Sequence, residues 1–111
     1  MLIVSEKISL EDLKKMSEKM FNRIVKAVVD IEREIMVVDA ELHADEESIL
    51  LENDSQQKNL WGINLHPDQF GKDGWIEFDS MINLRPSWGN KTRSAEDVEI
   101  KDKIKKLLID W

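Results

Sequence analysis

The chain has 111 residues, 41% of them hydrophobic and 35% charged, with a net charge of -7 from 16 basic and 23 acidic side chains. That length holds one domain able to hide about 65% of its unfolded surface, and that balance excludes global disorder. The absence of cysteine excludes disulfides, zinc–thiolate and iron–sulfur centres and thiol nucleophiles.

The acidic balance disfavours nucleic-acid backbones as partners. No apolar run is long enough to span a membrane, and MLIVSEK lacks the basic region and apolar core of a secretory signal. A cytoplasmic location is the resulting expectation. Residues 41–60 concentrate the acid: Glu41, Asp45, Glu46, Glu47, Glu52 and Asp54 stand against Lys58 alone. A solvated acidic loop is the plainest account of that run.

In chain order, Leu2-Ile3-Val4 predicts a short edge strand. Ser9 reads as a helix N-cap, with Asp12 three positions on and Ile8 and Leu13 at the staple positions. Leu13, Met16, Met20 and Ile24 keep helical spacing, and the helix is expected to end near Asn22, which tolerates a left-handed cap. Glu11 and Lys15 form an i,i+4 pair. β-Branched density from Ile24 onward predicts strands 24–31 and 35–43 around a turn at Glu32-Arg33-Glu34. A short strand over 49–51, a turn at Asn53-Asp54-Ser55 and a strand from Leu60 to Leu65 follow, ended by Pro67. After a turn bracketed by Gly71 and Gly74, residues 75–84 alternate in polarity as one long strand. Pro86 and Gly89 open an irregular loop. Ser94 reads as the cap of a last helix whose stripe is Ile100, Ile104, Leu107, Leu108 and Trp111.

Helix, strands joined by short turns, then helix indicates α+β. The sheet is an antiparallel meander of four to six strands, with both amphipathic helices on one face. A single domain over 1–111 is expected. The strings ELHADEE, LWGINL and INLRP occur in an order that resembles a small family of uncharacterised bacterial and archaeal proteins, a domain of unknown function. The resemblance runs from about residue 10 to the end and implies no catalytic residues. The turn at 32–34 departs from it, because a glycine is common there in the family.

Three constellations can carry chemistry. On the strand over 75–85, Glu77, Asp79, Asn83 and Arg85 point to one side, joined by Asn64 and His66 if the neighbouring strand pairs as a hairpin. Acid, base, amide and cation on one surface suit an oriented polar site. A solvated face with cross-strand ion pairs is the plainer account. The loop Arg85-Pro86-Ser87-Trp88-Gly89-Asn90-Lys91-Thr92-Arg93-Ser94 places three cations before a helix start, where an anion is favoured. Arg85, Arg93, Asn83 and Asn90 are its candidate ligand contacts, and Trp88 its flat surface. Glu41, His43 and Asp45 would share one side of an extended strand and could face a divalent metal, although such spacing is common in acidic segments.

These readings rank a binding module for a small anionic ligand or acidic partner first, with no cofactor and no metal required. A hydrolase using Asp79 or Glu77 with His66 or His43 is second. A homodimer formed through an open sheet edge or a Trp-bearing surface is third.

Overall fold

The structure, a computed structural model, describes residues 2–5, 8–19 and 23–109. Five strands form one antiparallel sheet: β1 (Leu2–Val4), β2 (Val25–Asp30), β3 (Ile35–Val38), β4 (Leu60–Leu65) and β5 (Ile76–Glu77), in the order β1-β3-β2-β4-β5. Three α-helices accompany it: α1 (Leu10–Glu18), α2 (His43–Glu52) and α3 (Val98–Ile109). The fold is α+β, and its terminal helices share one face as expected.

Alternation along the strands explains the layering. Val25, Ala27 and Val29 of β2, Met36 and Val38 of β3, and Trp61, Ile63 and Leu65 of β4 form one buried cluster with Leu13 of α1 and Ile104, Leu107 and Leu108 of α3. The intervening residues Val28, Val37 and Leu60 point the other way and bury against Leu50 of α2. The sheet is thus covered on both faces. Trp61 sits in the core with Ile63 and Leu65, and Met16 packs against the same cluster.

Local signals hold at the start of the chain. Ser9 Oγ accepts from Asp12 N at 3.0 Å, Ile8 and Leu13 are buried in one cluster, and Glu11 pairs with Lys15 at 3.7 Å. Helix α1 stops at Glu18, with Lys19 as its C-cap; Met20, Asn22 and Trp111, named above, lie outside the described residues. At the β2–β3 turn Glu34 takes the left-handed conformation, φ 58°, where a glycine would be easier. Asp30 stabilises the turn by accepting from the backbone N–H groups of Glu32 and Arg33.

Three elements differ from the sequence expectation. Strand β3 ends at Val38, the residues 39–42 expected to continue it are irregular, and α2 takes in the strand expected over 49–51. The inward side of α2 carries His43, Glu46 and Leu50; two polar residues at i and i+3 hide its helical period from a hydrophobicity reading. The strand expected over 75–84 pairs only at Ile76 and Glu77. It then leaves the sheet for a 3-10 turn, Met81–Asn83. Helix α3 begins at Val98 rather than after Ser94. Its cap is Asp97, whose Oδ1 accepts from Glu99 N at 2.9 Å.

Ile104 is fully buried between α3 and the sheet. Ile104→Asp is therefore expected to cost about 4 kcal/mol or more through an unpaired buried charge. A thermal melt of the variant checks this; an unchanged midpoint would mean that α3 does not hold the sheet.

Candidate functional site

Strand β4 pairs with β2 along its whole length, but β5 meets it only at Asn64 and Leu65. The remaining outer edge of β4 still presents backbone donors and acceptors, and burial obliges them to find partners. Side chains supply these. Asn83 accepts from Gly62 N at 2.8 Å and donates to Gly62 O at 2.9 Å, reproducing the bond pattern of a missing strand. Arg85 donates through Nη2 to Leu60 O at 2.6 Å. Gly62 is required here, because a Cβ at that position would stand 2.5 Å from the side chain of Ser80.

Arg85 ends at the junction of both sheet faces. It is 8% exposed. Its guanidinium carbon lies 5.0 Å from the ring centre of Trp61 and 5.5 Å from that of Trp88, within reach of a cation–π attraction. Nη2 stands 3.7 Å from Glu47 Oε2. Burial lowers the Arg85 pKa and the Glu47 charge offsets part of that effect; a guanidinium remains protonated. Arg85 Nη1 and the Nε1 of Trp61, itself 6% exposed, are buried with no hydrogen-bond acceptor. Both residues line a cleft of about 330 Å³ with Trp88, Lys58, Glu96 and Asp97.

The loop that builds this cleft is well tied. Arg85 and Asn90 exchange both backbone hydrogen bonds, at 2.8 and 3.1 Å, closing a small hairpin around the 3-10 turn Pro86–Trp88. Gly89 closes the turn at φ 86°, a conformation suited to glycine. Asn90 Nδ2 donates to Asn83 O, Thr92 O and Ser94 O, and its Oδ1 accepts from Glu96 N. Asn90 and Asn83 thus organise the backbone, whereas Trp88 is 57% exposed at the cleft mouth. The structure sends the two predicted anion-gripping arginines to different partners. Arg85 turns inward, and Arg93 pairs with Asp79 at 2.8 Å on the surface.

The polar surface predicted around Glu77 does assemble. Asn64 donates to Glu77 at 2.9 Å and to Asp79 O at 3.3 Å, and His66 Nε2 lies 3.4 Å from Glu77. The Asn64 hydrogen bond, helped by His66, holds the Glu77 pKa below its ordinary value. This makes the Glu77 carboxylate a stable anion rather than an acid poised near neutrality, and Asp79 is engaged by Arg93.

Glu41, His43 and Asp45 do not form a metal centre, because the chain is helical from His43. Glu41 and Asp45 are exposed while His43 is buried, its Nε2 2.8 Å from Ile63 O. Among the described residues no group of three His, Cys, Asp or Glu side chains is placed to hold a metal. Burial lowers the His43 pKa, outweighing the Ile63 hydrogen bond, so the ring is neutral and donates to that carbonyl. Its neighbour Glu46 is fully buried. Desolvation pushes its pKa up to about 9, and Ala40 N donates to its Oε2 at 3.3 Å. Sequence reasoning missed Glu47, Trp61 and Lys58 as parts of the site. Trp61 reads as core from its strand face, and nothing local shows that an arginine 24 positions later will stack on it.

The chain belongs to the family described as "Protein of unknown function (DUF5674)", whose profile matches residues 2–110. No curated protein and no solved structure matches it.

Two outcomes follow for stability. Arg85→Ala strands Leu60 O and Glu47 and is expected to cost about 3–5 kcal/mol. Arg93→Ala removes an exposed pair worth about 0–1 kcal/mol. Urea denaturation of both variants separates them, and equal losses would contradict the buried position of Arg85. Glu46 gives a pH signature. Its folded pKa is raised, so its contribution is complete below pH 4.5 and is lost as pH rises towards about 9. Glu46→Gln cannot ionise and should flatten that decline in melts from pH 5 to 9; an unaltered slope would refute the assignment.

Proposed function

We propose that the protein is a binding module whose ligand is a small organic carboxylate, held in the cleft between Trp61, Arg85 and Trp88. The observation that carries this reading is the pair of buried N–H donors without acceptors, Arg85 Nη1 and Trp61 Nε1, on two residues lining one cleft. A buried donor without a partner costs about 1–3 kcal/mol, and a ligand oxygen relieves that cost. The cleft volume lies at the small end of ligand sites, which sets the ligand's size.

Shape and charge select the class. The Arg85 guanidinium lies against the Trp61 and Trp88 rings and, with the Trp61 indole N–H, suits an oxyanion; the flanking rings suit a ligand whose remaining part is flat and apolar. Glu96 and Asp97 on the rim and the net charge of -7 oppose a dianion more than a monoanion. Trp88 covers the guanidinium, and its exposed indole can swing aside to admit the ligand, as exposed side chains change rotamer rapidly. The Asn64 hydrogen bond holds the Glu77 carboxylate as an anion and Arg93 occupies Asp79, which favours binding over a hydrolase mechanism.

Titration calorimetry with benzoate, acetate and inorganic phosphate tests the reading. Benzoate is expected to bind best, and Trp88→Ala to weaken it about tenfold with little change in melting temperature. Failure of every carboxylate to bind, or equal binding by Trp88→Ala, would overturn it.

A further inference from the structure

We propose that the carboxylate ligand is a zwitterion, a free amino acid or another small amino carboxylate with an apolar side chain. This rests on the carboxylate reading of the same cleft. Its lining carries both signs of charge: Lys58 and Arg85 on one hand, Glu96 and Asp97 on the other. Lys58, Glu96 and Asp97 are exposed, so opposite charges in the cleft gain little by forming ion pairs. Among the described residues they form none: neither Lys58, Glu96 nor Asp97 has an ion-pair partner within 4 Å, and Arg85 pairs instead with Glu47 beneath the cleft.

The loop and the cap of α3 hold the acids in place. Glu96 Oε2 accepts from Lys91 N and Asp97 Oδ1 from Glu99 N. Each carboxylate is fixed by one oxygen and has no intramolecular hydrogen bond to the other among the described residues. Buried donors without acceptors at Arg85 and Trp61 thus lie in the cleft wall, and Glu96 and Asp97 present exposed, fixed carboxylates, each with one oxygen free of any protein donor among the described residues. A molecule bearing a carboxylate and an ammonium satisfies both sets at once. Ile100, Trp61 and Trp88 supply the apolar and aromatic surface for the rest of the ligand.

Calorimetry with matched probes tests this: phenylalanine, 3-phenylpropionate, which lacks the amine, and phenethylamine, which lacks the carboxylate. Phenylalanine is expected to bind at least about tenfold more tightly than either, the worth of one well-placed charge contact. Glu96→Gln and Asp97→Asn keep the hydrogen bonds to Lys91 N and Glu99 N while removing charge. The two together should abolish the preference for phenylalanine, weakening phenylalanine and strengthening 3-phenylpropionate until their affinities converge, because the acids then neither attract the ammonium nor repel the carboxylate. If 3-phenylpropionate matches phenylalanine on the wild-type protein, the zwitterion is refuted and the carboxylate site stands. If phenethylamine matches it, the cleft reads a cation and both readings fall. Binding by none of the three also overturns both.

Discussion

The structure depends on one unfinished edge. Strand β4 runs through the centre of the fold, bonded throughout to β2, yet its other side meets only two residues of β5. A buried strand cannot leave its peptide groups empty. Another strand would close the edge with backbone, but here Asn83 and Arg85 close it with side chains. Side chains bring atoms that backbone does not, and the guanidinium of Arg85 has more N–H groups than Leu60 O and Glu47 can use. The Trp61 and Trp88 rings shield it from water on two sides. The cleft is a consequence of how the edge is closed.

The same edge explains the polar underside of α2. A helix on an ordinary sheet face buries aliphatic side chains, but α2 buries His43 and Glu46 beside Leu50. His43 donates a hydrogen bond to a carbonyl of β4, and Glu47 faces the arginine that caps that strand. Burial leaves His43 neutral and keeps Glu46 protonated at neutral pH. Among these inward groups of α2, only the Glu47 carboxylate answers the cation below the cleft. Buried charges of this kind add little net stability; they fix where α2 and the 85–90 hairpin sit relative to β4, and so fix the cleft walls.

Periodic and local signals were readable from the residues, and long-range ones were not. The Ser9 cap, the β2–β3 turn, β4 and the α3 stripe from Ile100 to Leu108 follow from neighbours within a few positions, and each stands where expected. The strand expected over 75–84 failed after Glu77 because Asn83 and Arg85 are diverted to β4, some 20 positions back in the chain. Alternating polarity looks the same whether polar residues face solvent or an unfilled strand edge. Helix α2 was hidden for a related reason: its buried face carries a histidine and a glutamate, which periodicity scores as solvent-facing. Of the candidate site, Arg85 and Trp88 were legible as a cation and a flat surface in one loop. Their inward setting, and the separation of Arg93 from them, required the fold.

The three strings that carry the family resemblance, ELHADEE, LWGINL and INLRP, meet at this edge. His43 and Glu47 come from the first, Trp61, Gly62 and Asn64 from the second, and Asn83 and Arg85 from the third. Their meeting alone does not separate a structural role from a functional one, since a buried polar network requires defined residues for packing alone. Saturation separates them. Asn83 and Asn90 use their amide donors and acceptors on neighbouring backbone, and nothing about them calls for a ligand. Arg85 and Trp61 are as deeply buried, yet each retains a donor with no acceptor, beside a cleft whose carboxylates, though fixed by backbone N–H groups, have no ion-pair partner among the described residues. A network serving the fold alone gains by satisfying every member. Among the described residues the buried network also leaves oxygens open at Glu46, Glu47 and Asn64, but its open N–H donors are those of Arg85 and Trp61; both residues line the cleft, which is why the proposed site is placed there and not elsewhere in the network.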